Sequence, residues 1–232
     1  MKLIKGTNAT LTASFTPNNI NPTPVVTWTS SNESVATVSS SGVVTAVNKG
    51  TATITARAGS RTATCSVKVG IKRTVTTDAI TTSDTFTSFS NNSSSYTYDN
   101  FTLSVTNVKT TDANYLEMGY YTGTPILGQS TDYNGTITIT PTSTLTDRDD
   151  FTLTNVRFTY VSYDYAQGAV TPSIGTYTSP ANNQMTASWS GSTASAITFT
   201  MAARKVNYVY LYYQYYWNRL QSITITYTYM EY

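Results

Sequence analysis

Apolar or aromatic residues alternate with Thr or Ser along most of this chain, and a period of two is the signature of a β-strand with one buried and one solvated face. Ala52, Ile54 and Ala56 alternate with Thr51, Thr53 and Thr55; Phe101, Leu103 and Val105 with Thr102 and Ser104; Ile197, Phe199 and Met201 with Thr198 and Thr200. Short breaks of Gly, Pro, Asn and Asp separate the runs, as turns between strands require. No segment carries a sustained i, i+3, i+4 apolar stripe with a capping box, so helices reduce to single turns. The expected class is all-β, with antiparallel sheets packed in pairs, each burying its apolar face against the other.

A chain of 232 residues accommodates one large domain or two modest ones. Charged side chains make up 11%, against ~25% in an ordinary soluble domain, so uncharged hydroxyls and amides carry the surface. The formal net charge of +2, the pI near 8.5 and the lack of any Lys/Arg run give no evident positive field for phosphates, so no nucleic-acid partner is expected. The chain contains no His. That excludes Ser-His-Asp and Cys-His nucleophile systems, His general bases and His-bearing zinc sites. The single cysteine, Cys65, has no intramolecular partner and reads as a small buried hydrophobe. Only two apolar residues separate Lys2 from Lys5, too few for the core of a signal peptide, and no apolar run approaches the ~18 residues of a membrane-spanning helix. Neither export by a leader nor membrane insertion is expected.

The texture changes near residue 70. Before it, Phe15 and Trp28 stand alone as aromatics; after it, Tyr becomes the dominant large side chain, with 19 in the protein. Two cores follow: a first domain over 1–70, a restricted connector over 71–84 beginning Gly70-Ile71-Lys72-Arg73, and a tyrosine-rich domain over 85–232.

The first segment carries Trp28-Thr29-Ser30-Ser31-Asn32-Glu33-Ser34-Val35-Ala36-Thr37-Val38, then Gly42-Val43-Val44-Thr45-Ala46. Lys49-Gly50-Thr51-Ala52-Thr53-Ile54-Thr55-Ala56 and Thr64-Cys65-Ser66-Val67-Lys68-Val69 follow. In order and spacing this resembles the bacterial Ig-like domain of group 2. The resemblance implies a small sandwich without the inter-sheet disulfide of antibody domains, used as a spacer or interaction module in adhesins, surface enzymes and phage structural proteins. Physically, Trp28 is the expected central core aromatic, Gly42 the tight hairpin turn, and Gly50 the turn feeding the longest strand.

In the second segment the alternation predicts strands around 86–89, 101–106, 114–118, 136–140, 151–161, 185–189, 196–201, 206–216 and 221–229. Their irregular spacing fits a larger, jelly-roll-like sandwich. Tyr96 to Leu103, Tyr115 to Met118 and Leu220 to Tyr227 resemble strand ends of galactose-binding-like jelly-roll modules, although no sugar-contacting motif transfers onto a numbered position.

One run stands apart. Tyr208, Tyr210, Tyr212 and Tyr216 fall on one face of a strand with Gln214, while Val209, Leu211, Tyr213, Tyr215 and Trp217 fall on the other. One aromatic face can fill a core. The other then packs under loops, forms a protein interface, or stacks against sugar rings. Asp147, Asp149 and Asp150 surround Arg148 in one loop and are either a solvated acidic turn or oxygen ligands for Ca²⁺, the one cofactor the sequence admits. Glu33, Glu117 and Glu231 are far apart in sequence, and no carboxylate pair is marked for hydrolysis, so no enzyme activity and no catalytic residue is expected.

The expected role is a non-enzymatic phage virion protein assembled in the host cytoplasm, an auxiliary or decoration protein of the capsid or else of the tail. Its partners would be other virion proteins such as a major capsid protein, and host or mucus glycans. The alternative is a carbohydrate-binding or adhesion module of a bacterial cell-surface protein.

Overall fold

A computed structural model of the chain describes residues 1–16, 18, 21–81, 93–106, 108–110, 116–118, 132–160, 170–178, 186–206, 214–215 and 218–232. The chain separates into two compact units. The first is Met1–Arg73 together with Met230–Tyr232, and the second is Thr74–Tyr229.

The first unit contains β1 (Lys2–Ile4), β2 (Asn8–Thr10), β3 (Thr27–Ser30), β4 (Ala36–Val38), β5 (Val43–Ala46), β6 (Gly50–Ala58) and most of β7 (Arg61–Thr76). One sheet runs β3-β6-β7, with β1 added parallel to β7; the other is β2-β5-β4. The alternation read from the sequence decides the layers, since Val44, Ala52, Ile54, Val67 and Val69 point between the sheets and are all but fully buried. The centre is therefore aliphatic. Trp28 is half-buried on the terminal strand of its sheet and packs against that core rather than forming its middle. Cys65 is likewise half-buried, not buried.

Gly42 closes the turn between β4 and β5 at φ +80, as its sequence position suggested, and a Cβ there would lie 2.4 Å from the Leu11 carbonyl oxygen and 3.1 Å from the Trp28 ring. The glycine is thus required by the turn and by the indole lying on it.

The second unit adds β8 (Ile80–Thr81), β9 (Ser93–Tyr98), β10 (Phe101–Thr106), β11 (Val108–Thr110), β12 (Leu116–Met118), β13 (Asp132–Pro141), the one-turn α1 (Ser143–Thr146) and β14 (Thr152–Tyr160). It continues with β15 (Val170–Pro172), β16 (Thr176–Thr178), β17 (Thr186–Thr193), β18 (Ile197–Val206), β19 (Gln214–Tyr215) and β20 (Asn218–Glu231). Two antiparallel sheets face each other, β16-β17-β14-β20 and β15-β18-β13-β10-β9. Phe101, Leu103, Ile137, Ile139, Phe199, Phe158, Ile223 and Ile225 fill the space between them at 0% exposure. Edge-to-face contacts, with Phe158 and Phe199 centroids 4.9 Å apart and Trp189 and Phe199 6.1 Å apart, add directional packing to the burial.

The central indole of this unit is Trp189, fully buried, its Nε1 donating to the Ile174 carbonyl at 2.6 Å. Gly175 and Gly191 leave room for the ring, since a Cβ on either would come within 2.5 Å of it.

The connector expected over 71–84 begins as strand. β7 continues unbroken through Thr76, Thr77 exchanges hydrogen bonds with Ile225, and Ile80 is buried in the second core. Alternation of Ile71, Arg73 and Val75 with Lys72, Thr74 and Thr76 carries the strand period past Gly70. Residues 82–84, the predicted strand over 86–89 and most of that over 206–216 lie outside the described residues.

Candidate interaction surfaces

Six of the seven aromatic candidates, Tyr208, Tyr210, Tyr212, Tyr213, Tyr216 and Trp217, lie outside the described residues. Tyr215 contributes backbone to β19, where it pairs with Lys205 of β18. The acidic candidates are described. Asp147 caps α1 by donating its backbone N–H to the Ser143 carbonyl at 2.9 Å, and Asp150 sits in the left-handed region at φ 53. All three carboxylate residues are exposed, and Arg148 directs its guanidinium onto the Tyr229 ring, 4.3 Å from the centroid. Among the described residues no group of three or more His, Cys, Asp and Glu side chains is placed to hold a metal.

A different surface emerges from strand register. On the sheet β15-β18-β13-β10-β9, residues facing away from the core fall into cross-strand rows: Thr97, Thr102 and Thr140; Ser95, Ser104, Thr138 and Thr198; Thr106, Thr136, Thr200 and Thr171. Among the described side chains this face is made of hydroxyls alone, and every one of them is exposed or half-exposed. Adjacent strands lie ~4.8 Å apart, so the rows form a regular grid. Neighbouring hydroxyls bond within it, Thr106 to Thr136 at 2.6 Å, Thr138 to Thr198 at 2.9 Å, Ser95 to Ser104 at 3.2 Å and Thr97 to Thr102 at 3.3 Å. Each such pair uses one donor, which leaves a second donor and spare lone pairs for water or a partner. Alternation in the sequence marked Thr102, Ser104, Thr198 and Thr200 as outward-facing. It could not align them into rows, because register is a long-range property.

Charge is divided unevenly, and net charge conceals this. Residues 1–73 hold eight of the 14 Lys and Arg but one of the 12 Asp and Glu, Glu33. Adding Glu231 leaves the first unit at +6, and the remaining six basic and ten acidic residues give the second −4, consistent with the total of +2. The total therefore averages a basic first unit with an acidic second one. The cations converge around the last residues of the chain: Lys49 Nζ and Arg73 Nε each stand 2.5 Å from a different Glu231 carboxylate oxygen, while Lys2 and Lys68 sit over the Tyr232 ring at 4.9 and 5.6 Å. Hydrogen bonds from Lys49 and then Arg73 push the Glu231 carboxyl down to about 2. It is held as an anion, the opposite of what a general acid requires.

Residues 1–69 match the family model of the bacterial Ig-like domain (group 2), in agreement with the resemblance carried by the Trp28 to Val69 run. No curated protein matches the chain. Domains of this family occur in surface and extracellular proteins, and the match points to a surface or adhesion-type module. No helix among the described residues is long and apolar enough to cross a membrane.

Proposed function

We propose that the chain is a non-enzymatic structural protein of a phage particle, an auxiliary or decoration protein of the capsid that works through contact area. The observation that carries this reading is the hydroxyl face of the second unit. It offers hydrogen bonds at regular spacing with no base-activated nucleophile among them, which suits repeated, individually weak contacts made strong by copy number. The Ig-like module supports a displayed role, and the engaged, ionised state of Glu231 accords with an architecture that spends its charges on structure.

The partner in this reading is another virion protein, the major capsid protein first, with host or mucus glycans as a second class of contact. A cell-surface adhesion module is the competing reading, favoured by the same Ig-like match.

Quantitative mass spectrometry of purified particles tests the proposal. A fixed number of copies per particle, retained through density-gradient purification and cross-linked to shell protein through the second unit, is the expected result. Absence from particles, with the protein recovered from bacterial envelopes, would overturn it in favour of the adhesion reading.

A further inference from the structure

Strand register gives the outer face of the first unit a single sign of charge. Leu3, Ile54, Val67 and Val69 point into the core, so the residues alternating with them face solvent. On β1 these are Lys2 and Ile4, on β7 as far as the end of the unit they include Lys68 and Lys72, and on β6 they include Arg57, all exposed. Every other outward position on β3, β6 and this part of β7 is Thr, Ser or Gly, so the face carries cations and no Asp or Glu. Met230 and Tyr232 lie over Gly70 on this side, where a Cβ would fall 2.7 Å from the Tyr232 ring, and alternation along the chain turns Glu231 to the other side, toward Lys49 and Arg73. Ile4 and Tyr232 thus place apolar surface among Lys2, Lys68 and Lys72, the apolar centre and charged rim of a protein interface.

The second unit holds the complement. Thr142 donates its backbone N–H to the Asn100 carbonyl at 2.9 Å, which ties the β9–β10 turn to the segment that runs through α1 into the acidic loop. Asp99, Asp147, Asp149 and Asp150 therefore share one end of that unit, all exposed, with the Arg148 guanidinium turned onto the Tyr229 ring. Alone this is a solvated acidic turn; the carboxylate-free face of the first unit is what gives it a partner.

We infer that copies of this chain associate through these two surfaces, the acidic end of the second unit of one copy docking on the β1–β7 face of the first unit of the next. Charges of +6 and −4 on the two units steer such an encounter, and lysine ammonium groups on flexible stems meet dispersed carboxylates singly, with no planar fork required. A nucleic acid fits less well, because Ile4 and Tyr232 interrupt the lysines with apolar surface where a phosphate chain needs a continuous track of cations. The contact is made between copies and holds whether or not the chain is bound to a particle.

Sedimentation velocity of the intact chain tests this at about 10–200 µM, the range in which a weak contact becomes populated. In about 50 mM NaCl the weight-average sedimentation coefficient should rise with concentration, and about 500 mM NaCl should weaken the association roughly tenfold. Lys68→Glu and Asp147→Lys should each weaken it by a similar factor, and mixing the two variants should restore it, since the first keeps its acidic end and the second its basic face. Both residues are exposed, and Asp147 has helical backbone angles that lysine adopts, so both variants fold and recovery on mixing reports the contact itself. A monomer throughout the low-salt series, indifference to either charge reversal, or no recovery on mixing would overturn the inference. So would saturable binding of phosphatidylglycerol vesicles or of a single-stranded oligonucleotide by a chain that does not self-associate, which would assign the basic face to that partner.

Discussion

Gly42 and Gly59 both hold positive φ, +80 and +60, but only Gly42 is enclosed. Nothing lies within 4 Å of a Cβ on Gly59, so Gly59→Ala carries the left-handed backbone cost alone, about 1–2 kcal/mol. Gly42→Ala adds a clash with the Leu11 backbone oxygen, which cannot swing aside, and its cost should reach roughly 3–4 kcal/mol. Urea unfolding of both variants checks the order; equal costs would mean that Trp28 and the neighbouring chain relax freely. Glu231 makes a second residue-scale prediction. Its folded pKa of about 2 lies below the ordinary 4.5, so its contribution is present above pH 4.5 and is lost as pH falls toward 2. Wild type should therefore lose stability over that window more steeply than Glu231→Gln, and high salt should shrink the difference because the carboxylate is solvent-facing. A parallel acid limb in the two proteins would remove Glu231 from the account.

At the scale of elements, the centre of the hydroxyl face tests whether the grid is cooperative. Thr138 and Thr198 bond each other at 2.9 Å across β13 and β18, both half-buried. Valine at one site strands the other hydroxyl and should cost about 0.5–1.5 kcal/mol, whereas Thr138→Val with Thr198→Val removes both partners at nearly constant shape and should cost less than the sum. Additivity in a double-mutant cycle would reduce the grid to independent solvated hydroxyls. Three of the strands that build this face were legible because apolar and hydroxyl residues alternate strictly in them: 101–106 is the observed β10, 136–140 lies within β13, and 196–201 covers the first half of β18. β15 and β16 escaped prediction, at three residues each too short for a period to register. Trp189 was missed as a core residue for another reason. Its enclosure depends on Gly175, fourteen residues away, as well as on nearby Gly191, and spacing along the chain does not reveal that convergence. The acidic loop was visible as composition, but the direction of Arg148 toward Tyr229 depends on where β20 runs.

For the whole molecule, the determining fact is that +2 is a difference between two unlike units rather than a uniform property. An ion-exchange surface responds to the densest local charge, not to the total, because fields from more distant groups are screened within about 8–10 Å at ordinary ionic strength. Lys68→Glu and Arg157→Glu change the net charge equally, and both residues are exposed on strands, β7 in the first unit and β14 in the second. Lys68 pairs in register with Lys2 and belongs to the cationic group around Tyr232, whereas Arg157 stands among Ser188 and Thr224. Cation-exchange chromatography at neutral pH should therefore elute Lys68→Glu at clearly lower salt than Arg157→Glu, although their net charges are identical. Coincident elution would mean that retention follows net charge alone and that the cations around Tyr232 form no dominant surface. A larger loss for Arg157→Glu would place the dominant positive surface in the second unit, against the charge division read from the sequence.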